Sequence, residues 1–482
     1  MFQSPLARHA WPDLDIGPQD DNPAVEPGRV HLVGIGGIGM SGIAEVLLTL
    51  GYRISGSDLH QSDTTRRLAA FGADIVYGHD AAAIDRDIDA VVVSSAISGN
   101  NVEVAEARRI MVPVISRAEM LAELMRAKCG VAVAGAHGKT TTTSLVVSVL
   151  AEGGFDPTMV VGGRLRSLGG TNARLGDSRY MVAEADESDG SFLLLKPTVA
   201  VVTNIDREHM DHYGTMDALR QAYVDYINSI PFFGRAVLCI DCEEVAGLLE
   251  RLKKRYVCYG TSDAADLRAA DIRPEGLSVS FEVVWRGAAL GRARVAMPGH
   301  HAVLNALAAL AVGLEFGMTF EDCREGLEHF GGILRRFELK GEAAGVTVID
   351  DYGHHPTEIR ATLAAARAAY PGRRLVALFQ PHRYTRTADL FDEFVRCFDD
   401  ADEVLVTDIY AAGESASTGP DGAALAAAIA AGHRGTVGHL DSREQSLAGR
   451  VASRLGAGDL LITLGAGDIT RSGPEILALL EG

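Results

Sequence analysis

Basic side chains are in short supply: 45 Lys and Arg stand against 64 Asp and Glu, a formal net charge of −19. A field of that sign repels polyanions and excludes general binding to nucleic acid or to anionic membranes. Any anionic ligand must therefore be held by local amides, arginines, lysines or a metal. Long apolar runs are also missing. The longest, residues 302–314, is too short to cross a bilayer and carries Asn305, so it reads as a buried helix and no membrane insertion is expected. The N-terminus MFQSPLARHAWPDLD has no apolar segment of the secretory kind, which points to a cytoplasmic protein. Cysteines number six and are scattered; Cys239 and Cys242 make one C-x-x-C, with no second pair at zinc-ribbon spacing. Reduced structural thiols are the expectation there, not a metal site.

What is present is ordinary globular material: 482 residues, 47% hydrophobic and 23% charged, enough for about three domains. Residues 1–28 hold five prolines and no periodicity, and read as a flexible leader. From Arg29 the pattern alternates strand, glycine turn and helix, as in a mainly parallel sheet. RAEMLAELMR (117–126) has a helical apolar stripe and is expected to bridge to a second domain. A new strand opens at 131, a strand-rich stretch lies near 277–296, and a further α/β unit starts near 335. The boundaries read as 29–116, 117–334 and 335–482: three consecutive α/β domains.

The stretch VAVAGAHGKTTTT (131–143) is the most informative in the chain. An apolar strand, a glycine turn and a GK[ST] helix opening aim backbone N–H groups and a helix N-terminus at one point, which suits a polyphosphate. Lys139 is placed to reach the β/γ-phosphates and Thr140 to bind Mg²⁺. The loop is G-x-x-G-K-T, shorter than the common form: Val133 stands where that form has its first glycine, and Gly135 takes the role.

A second glycine turn, GIGGIG at 34–39, follows a strand and opens a helix, with Asp58 ending the next strand. By itself this allows either a dinucleotide or a nucleotide-sugar diphosphate. In the central region Thr140, Glu184 and His209 all follow strand ends. In a parallel sheet such ends share one edge, where ligands bind. Thr140 and Glu184 suit Mg²⁺, while His209 could equally be a solvent-facing loop histidine. IDDYGHHPTE (349–358) gathers two aspartates, a tyrosine and two histidines at a strand end. QPHRYTRT (380–387) supplies Arg383 and Arg386, which suit a carboxylate or phosphate.

Taken together and in this order, GIGGIGMSGIAEVL, SRAEMLAELM, GAHGKTTTT, AEADESD, TNIDREHMDHY, PGHHAVLNALAA, LRRFE, DDYGHHPTE, FQPHRYTRT and LGAGDI resemble the Mur ligases of bacterial cell-wall synthesis, over residues 29–475. The resemblance implies a Rossmann-like N-terminal domain, a P-loop-ATPase-like central domain with a mostly parallel sheet, and a Rossmann-like C-terminal domain. It implies an ATP-dependent ligase that activates the lactyl carboxylate of UDP-N-acetylmuramate as an acyl phosphate and joins it to L-alanine. The UDP-sugar would meet Gly36, Gly37, Gly39, Ser57, Asp58, His79 and Asn172. ATP would meet Gly135, Ala136, His137, Gly138, Lys139, Thr140, Thr141, His301, Asn305, Arg336 and Asp351. Thr140, Glu184 and His209 would hold Mg²⁺ or Mn²⁺, and Tyr352, His354, Arg383 and Arg386 the amino acid. Lys139, His209, Arg336, Asp351 and His354 would carry the chemistry. A monomer or weak homodimer that closes on its ligands is implied. Two departures from the family's usual pattern stand out: Ala136 replaces a usual threonine, and PGHHAVLN replaces the common PGRHNVLN, which puts one polar contact at Ala302 in question. Residues 210–230 contain no lysine for carbamylation.

Overall fold

The computed structural model describes residues 28–94, 96–126, 128–165, 171–415, 419–441 and 446–482. The expected leader lies outside them, Gly28 apart. Contacts divide the chain into two compact units. The first takes the chain to Ala270 with Glu282–Ala293 and Leu304–Phe330, and the second takes Asp271–Phe281, Arg294–Val303 and Gly331–Gly482.

The first sheet has strands β1 (Arg29–Val33), β2 (Arg53–Asp58), β3 (Asp74–Tyr77), β4 (Ala90–Val93) and β5 (Val114–Ser116), in the order β3-β2-β1-β4-β5. Every pairing is parallel, so all carboxyl ends lie on one edge. The order reverses beside β1, and that crevice is where such sheets bind ligands. Val30 and Leu32 of β1 and Val91 and Val92 of β4 are buried, as in strands covered on both faces. β3 is short and mostly exposed; DIVY carries too weak an apolar signal to be found in the sequence.

The second sheet contains β6 (Cys129–Ala134), β7 (Thr158–Leu165), β8 (Thr171–Arg174), β9 (Tyr180–Glu184), β10 (Val199–Val202), β11 (Arg235–Cys239), β12 (Tyr256–Gly260), β13 (Leu267–Glu275), β14 (Ser278–Trp285) and β15 (Ala288–Val295). Its order is β8-β7-β9-β6-β10-β11-β12-β13-β14-β15. From β7 through β12 the pairings are parallel, and β8 adds antiparallel to β7. Register places Val133 opposite Glu184 and Ala134 opposite Val202, so the loops after β6, β9 and β10 emerge side by side. The helix Lys139–Glu152 is buried along most of its length, and Ser148 Oγ ties it to the carbonyl of Gly326 at 2.7 Å.

The third sheet belongs to the second unit: β16 (Glu338–Ala343), β17 (Val346–Asp351), β18 (Leu375–Phe379), β19 (Glu403–Thr407), β20 (Thr436–Leu440) and β21 (Leu460–Leu464). Its order is β16-β17-β21-β18-β19-β20, parallel except for the β16–β17 hairpin. β17, β18 and β21 thus deliver Asp351, Gln380 and Gly465 to one edge. The helix Pro356–Ala369 leaves that edge, capped by His355, with Pro356 in its first turn, where a missing N–H costs nothing.

Candidate active site

In the first unit, the glycine turn after β1 is fastened to the end of β2. The amides of Gly34 and Ile35 donate to the Ser57 carbonyl at 2.8 and 3.0 Å, and the Gly36 amide donates to Asp58 Oδ2 at 2.9 Å. Gly37 caps the helix Ile38–Thr49 in an extended conformation, and Gly39 lies in its first turn. Arg117 was not singled out in the sequence, yet an ideal Cβ on Gly39 would lie 3.0 Å from its Nη1. That guanidinium also pairs with Asp186 at 3.2 Å, so a cation stands at this helix N-terminus. His79 Nδ1 is 3.1 Å from Ser57 Oγ, and Asn172 is buried against the same helix near Gly42. Of the residues expected there, Gly36 is thus joined to Asp58 and His79 to Ser57, while Asn172 lies along the helix that Gly37 and Gly39 open.

The phosphate loop is built on two left-handed glycines, Gly135 at φ +136° and Gly138 at φ +80°. A side chain on Gly135 would meet Thr203 Oγ1 at 2.1 Å, and one on Gly138 would meet Asn305 Oδ1 at 2.7 Å. The end of β10 locks the loop. Thr203 Oγ1 and Asn204 Nδ2 donate to the His137 carbonyl at 2.7 and 2.9 Å, while Asn204 Oδ1 accepts from the His137 amide at 2.8 Å. His137 Nε2 is 2.8 Å from Asp206 Oδ2. Asn305 Oδ1 accepts from Thr142 Oγ1 at 3.1 Å, placing Asn305 against the helix that the loop opens.

Lys139 Nζ donates to the Gly135 carbonyl at 2.6 Å and to both oxygens of Glu187 at 2.8 and 2.9 Å. Burial pushes the Lys139 ammonium down, but the Glu187 charge and hydrogen bond outweigh it, so its pKa is raised and the cation persists. His209 has φ +59°, and its Nε2 lies 3.6 Å from Glu187 and 3.9 Å from Glu208. Burial lowers its basicity; Glu187 and Glu208 reverse that, with a net rise. Ligand atoms of Glu187, Glu208 and His209 all lie within 4.8 Å of one another, two hard oxygens and an imidazole suited to Mg²⁺ or Mn²⁺. Of the metal ligands expected from the sequence, His209 lies in this cluster. Thr140 is buried in the first turn of the helix, and Glu184 Oε1 accepts from the Gly162 amide at 2.8 Å. Glu187 and Glu208 were overlooked, although AEADESD and REHMDH contain them.

In the second unit Asp351 is buried, accepting from the Phe337 amide at 2.8 Å and the Gly353 amide at 2.7 Å. Burial raises its pKa against the opposing Arg336 charge. Arg336 stands 5.2 Å over the Tyr352 ring and 3.6 Å from Glu358, and Arg335 stands 4.9 Å over the same ring. His354 Nδ1 lies 3.1 Å from the Tyr352 carbonyl and 3.3 Å from Glu358. Its ring is 5.9 Å from that of His382, which stacks on Tyr410 at 5.5 Å. Arg383 has φ +73° and donates from Nε to Glu414 at 2.6 Å; Arg386 Nη1 donates to His382 Nδ1 at 3.4 Å. Burial and the neighbouring His354, Arg386 and Arg383 charges lower His382 to about 4. Tyr352, His354, Arg383 and Arg386 thus lie in one network of contacts that also takes in His382, Tyr410 and Glu414. His301 belongs to this unit, lowered to about 4 by burial, His300 and Arg336.

Three family models match the chain: the Mur ligase family catalytic domain over residues 29–129, the Mur ligase middle domain over 133–313, and the Mur ligase glutamate ligase domain over 335–467. A UDP-N-acetylmuramate–L-alanine ligase of Geobacter sulfurreducens is 55% identical over 94% of this chain and 98% of its own. Its counterpart from Anaeromyxobacter dehalogenans is 58% identical with the same coverage. Among solved structures, the UDP-N-acetylmuramate–alanine ligase MurC of Thermotoga maritima is similar with a TM-score of 0.77 at 27% identity, over 94% of this chain and 98% of that one. The chain belongs to the Mur ligase family.

Proposed function

We propose that the protein joins L-alanine to the lactyl carboxylate of UDP-N-acetylmuramate at the expense of ATP, giving ADP, phosphate and UDP-N-acetylmuramoyl-L-alanine, a peptidoglycan precursor. The choice of substrates rests on relatives 54–58% identical over 94% of the chain that carry that name. The observation that carries the chemistry is Lys139 held at the mouth of a two-glycine loop beside the Glu187, Glu208 and His209 cluster.

A carboxylate resists attack by an amine, so its oxygen first takes the γ-phosphoryl group of ATP. The amine then adds to the acyl phosphate, and phosphate leaves from the tetrahedral adduct. The chain's part is positioning and neutralisation of charge. Lys139 takes phosphate oxygens in place of Glu187, and Arg336 supplies further positive charge. A divalent cation, Mg²⁺ or Mn²⁺, would be held by Thr140, Glu184 and His209, with Glu187 and Glu208 beside His209, and would neutralise charge at the phosphates. Arg383 and Arg386 hold the alanine carboxylate. His354 Nδ1 faces acceptors, the Tyr352 carbonyl and Glu358, which leaves Nε2 as the basic nitrogen for the amine proton.

The three domains are taken as 29–116, 117–334 and 335–482, in a cytoplasmic monomer or weak homodimer. Among the described residues no helix is long and apolar enough to cross a membrane. Phosphate release from ATP, measured with UDP-N-acetylmuramate and L-alanine omitted in turn, tests the reading. Release should need both, and a preformed tripeptide should not replace L-alanine. Turnover without the sugar nucleotide would contradict it.

A further inference from the structure

Glu103 is a carboxylate with no exposed surface in the first turn of the helix Val102–Arg109. Burying it is costly unless its lone pairs are met. Its partners come from the ends or bodies of three strands. Ser57 Oγ, near the end of β2, donates to Oε2 at 2.6 Å, and His79 Nδ1, just beyond β3, lies 3.2 Å from the same oxygen. His31 Nε2, from β1, is 3.8 Å away, and the Asp80 amide donates to Oε1 at 3.4 Å. Burial pushes the Glu103 carboxyl up, but the nearby His31 ring and the hydrogen bonds from Ser57 and His79 prevail and hold it below its usual range. An apolar side chain would fill this space at less cost in desolvation, so the carboxylate serves something besides packing.

The hydrogens around His79 are determined by elimination. The single hydrogen of the Ser57 hydroxyl is committed to Glu103, so Nδ1 of His79 faces two acceptors, Ser57 Oγ at 3.1 Å and Glu103 Oε2 at 3.2 Å. Nδ1 must carry a hydrogen. The backbone just before His79 is tied to the glycine-turn side of the sheet, since the Gly78 amide donates to the Asp58 carbonyl at 2.8 Å while the Asp58 side chain accepts from Gly36. His79 is thus partly exposed at the same sheet edge, whereas Glu103 behind it is sealed.

We propose that Glu103 is a positioning residue for the sugar-nucleotide pocket: by holding the Nδ1 hydrogen of His79 it presents the ring's Nε2 as an acceptor for an N–H or O–H of the uridine. This rests on the reading of the first glycine turn as the UDP-sugar site. It assigns His79 to the nucleoside, not the diphosphate, which has no hydrogen to give.

The test uses the full chain, with UDP as the binding probe and UDP-N-acetylmuramate in turnover. Glu103→Gln should raise the KM for UDP-N-acetylmuramate roughly ten-fold, the scale of one positioned hydrogen bond. The KM for ATP and kcat should stay within about two-fold, and UDP binding should weaken by the same factor as the sugar-nucleotide KM. In a His79→Gln background the same substitution should add little, because Glu103 acts through His79. A measurement on the unsubstituted protein stands apart from any folding defect: ¹⁵N spectra of its histidines, with the His79 signal assigned by its loss in His79→Gln. A pyrrole-type Nδ1 and pyridine-type Nε2 are expected. A hydrogen on Nε2, or an unchanged KM in a folded Glu103→Gln, would overturn the role of Glu103. If the unsubstituted protein fails to bind UDP, the reading of the pocket itself falls.

Discussion

Lys139 Nζ sits 2.8 Å from one oxygen of Glu187 and 2.9 Å from the other, and that carboxylate is 2% exposed. A buried ion pair at the mouth of a phosphate loop keeps the ammonium charged and in place, and on the proposed reading a phosphate oxygen would take Lys139 from Glu187. Lys139→Ala should lower kcat at least about 100-fold, the scale of removing one preorganised donor at developing charge. Lys139→Arg should not restore it, because a planar fork does not replace a point charge in this cradle. Stopped-flow phosphate release checks both. Since Lys139 has a raised pKa, the alkaline limb of the rate profile should belong to another group.

The loop's two left-handed glycines set a second expectation. Gly135→Ala and Gly138→Ala each combine unfavourable φ with a collision, against Thr203 and Asn305. Strain of roughly 1–3 kcal/mol should appear as a higher KM for ATP, with circular dichroism unchanged. Ala136, in a position whose backbone carbonyl faces Lys139 at 3.4 Å, should tolerate Thr with little effect.

In the second unit, Glu414 steers Arg383. Burial raises its carboxyl, but the Thr385 and Arg383 hydrogen bonds dominate and bring it down to about 2. A depressed carboxylate contributes fully above its ordinary value near 4.5, and that contribution is lost as pH falls towards about 2. Glu414→Gln should therefore raise the KM for L-alanine by the same factor at pH 6 and pH 9. A penalty confined to one of those pH values would show that Arg383 is not positioned this way.

His301 gives a stability signature of the same sign in a higher pH window. Its folded value of about 4 lies below the ordinary 6.5, so between those limits the unfolded chain binds more protons. Stability should fall as pH drops from about 6.5 to about 4 and level off below. His301→Gln should flatten that slope in urea titrations of the ligand-free protein.

Much of this was legible in the sequence because each motif sits where an apolar strand ends. VAVAGAHGKT names its strand, turn and helix outright, and the helix Arg117–Arg126 appears with the bounds its apolar stripe gives. Less legible was anything set by pairing across the sheet. Glu187 and Glu184 are three residues apart in one acidic run, and only the fold shows Lys139 turned to the former. Glu103 carries no motif at all; a lone glutamate after an asparagine cap reads as a solvated helix start until three strands are seen to close over it. Arg117 was read as part of a bridging helix, and its place beside Gly39 depends on how that helix returns across the sheet. β3 and β20 were missed because DIVY and TVGHL lie at sheet edges and lack a continuous apolar run.

The central claim, that the sugar-nucleotide carboxylate is activated by phosphoryl transfer, is open to one direct measurement. UDP-N-acetylmuramate labelled with ¹⁸O in its lactyl carboxylate is turned over with ATP and L-alanine, and the phosphate is examined by mass spectrometry. The acyl-phosphate route predicts that one labelled oxygen passes into each phosphate released, with ADP unlabelled. Unlabelled phosphate, or label appearing in AMP, would contradict it.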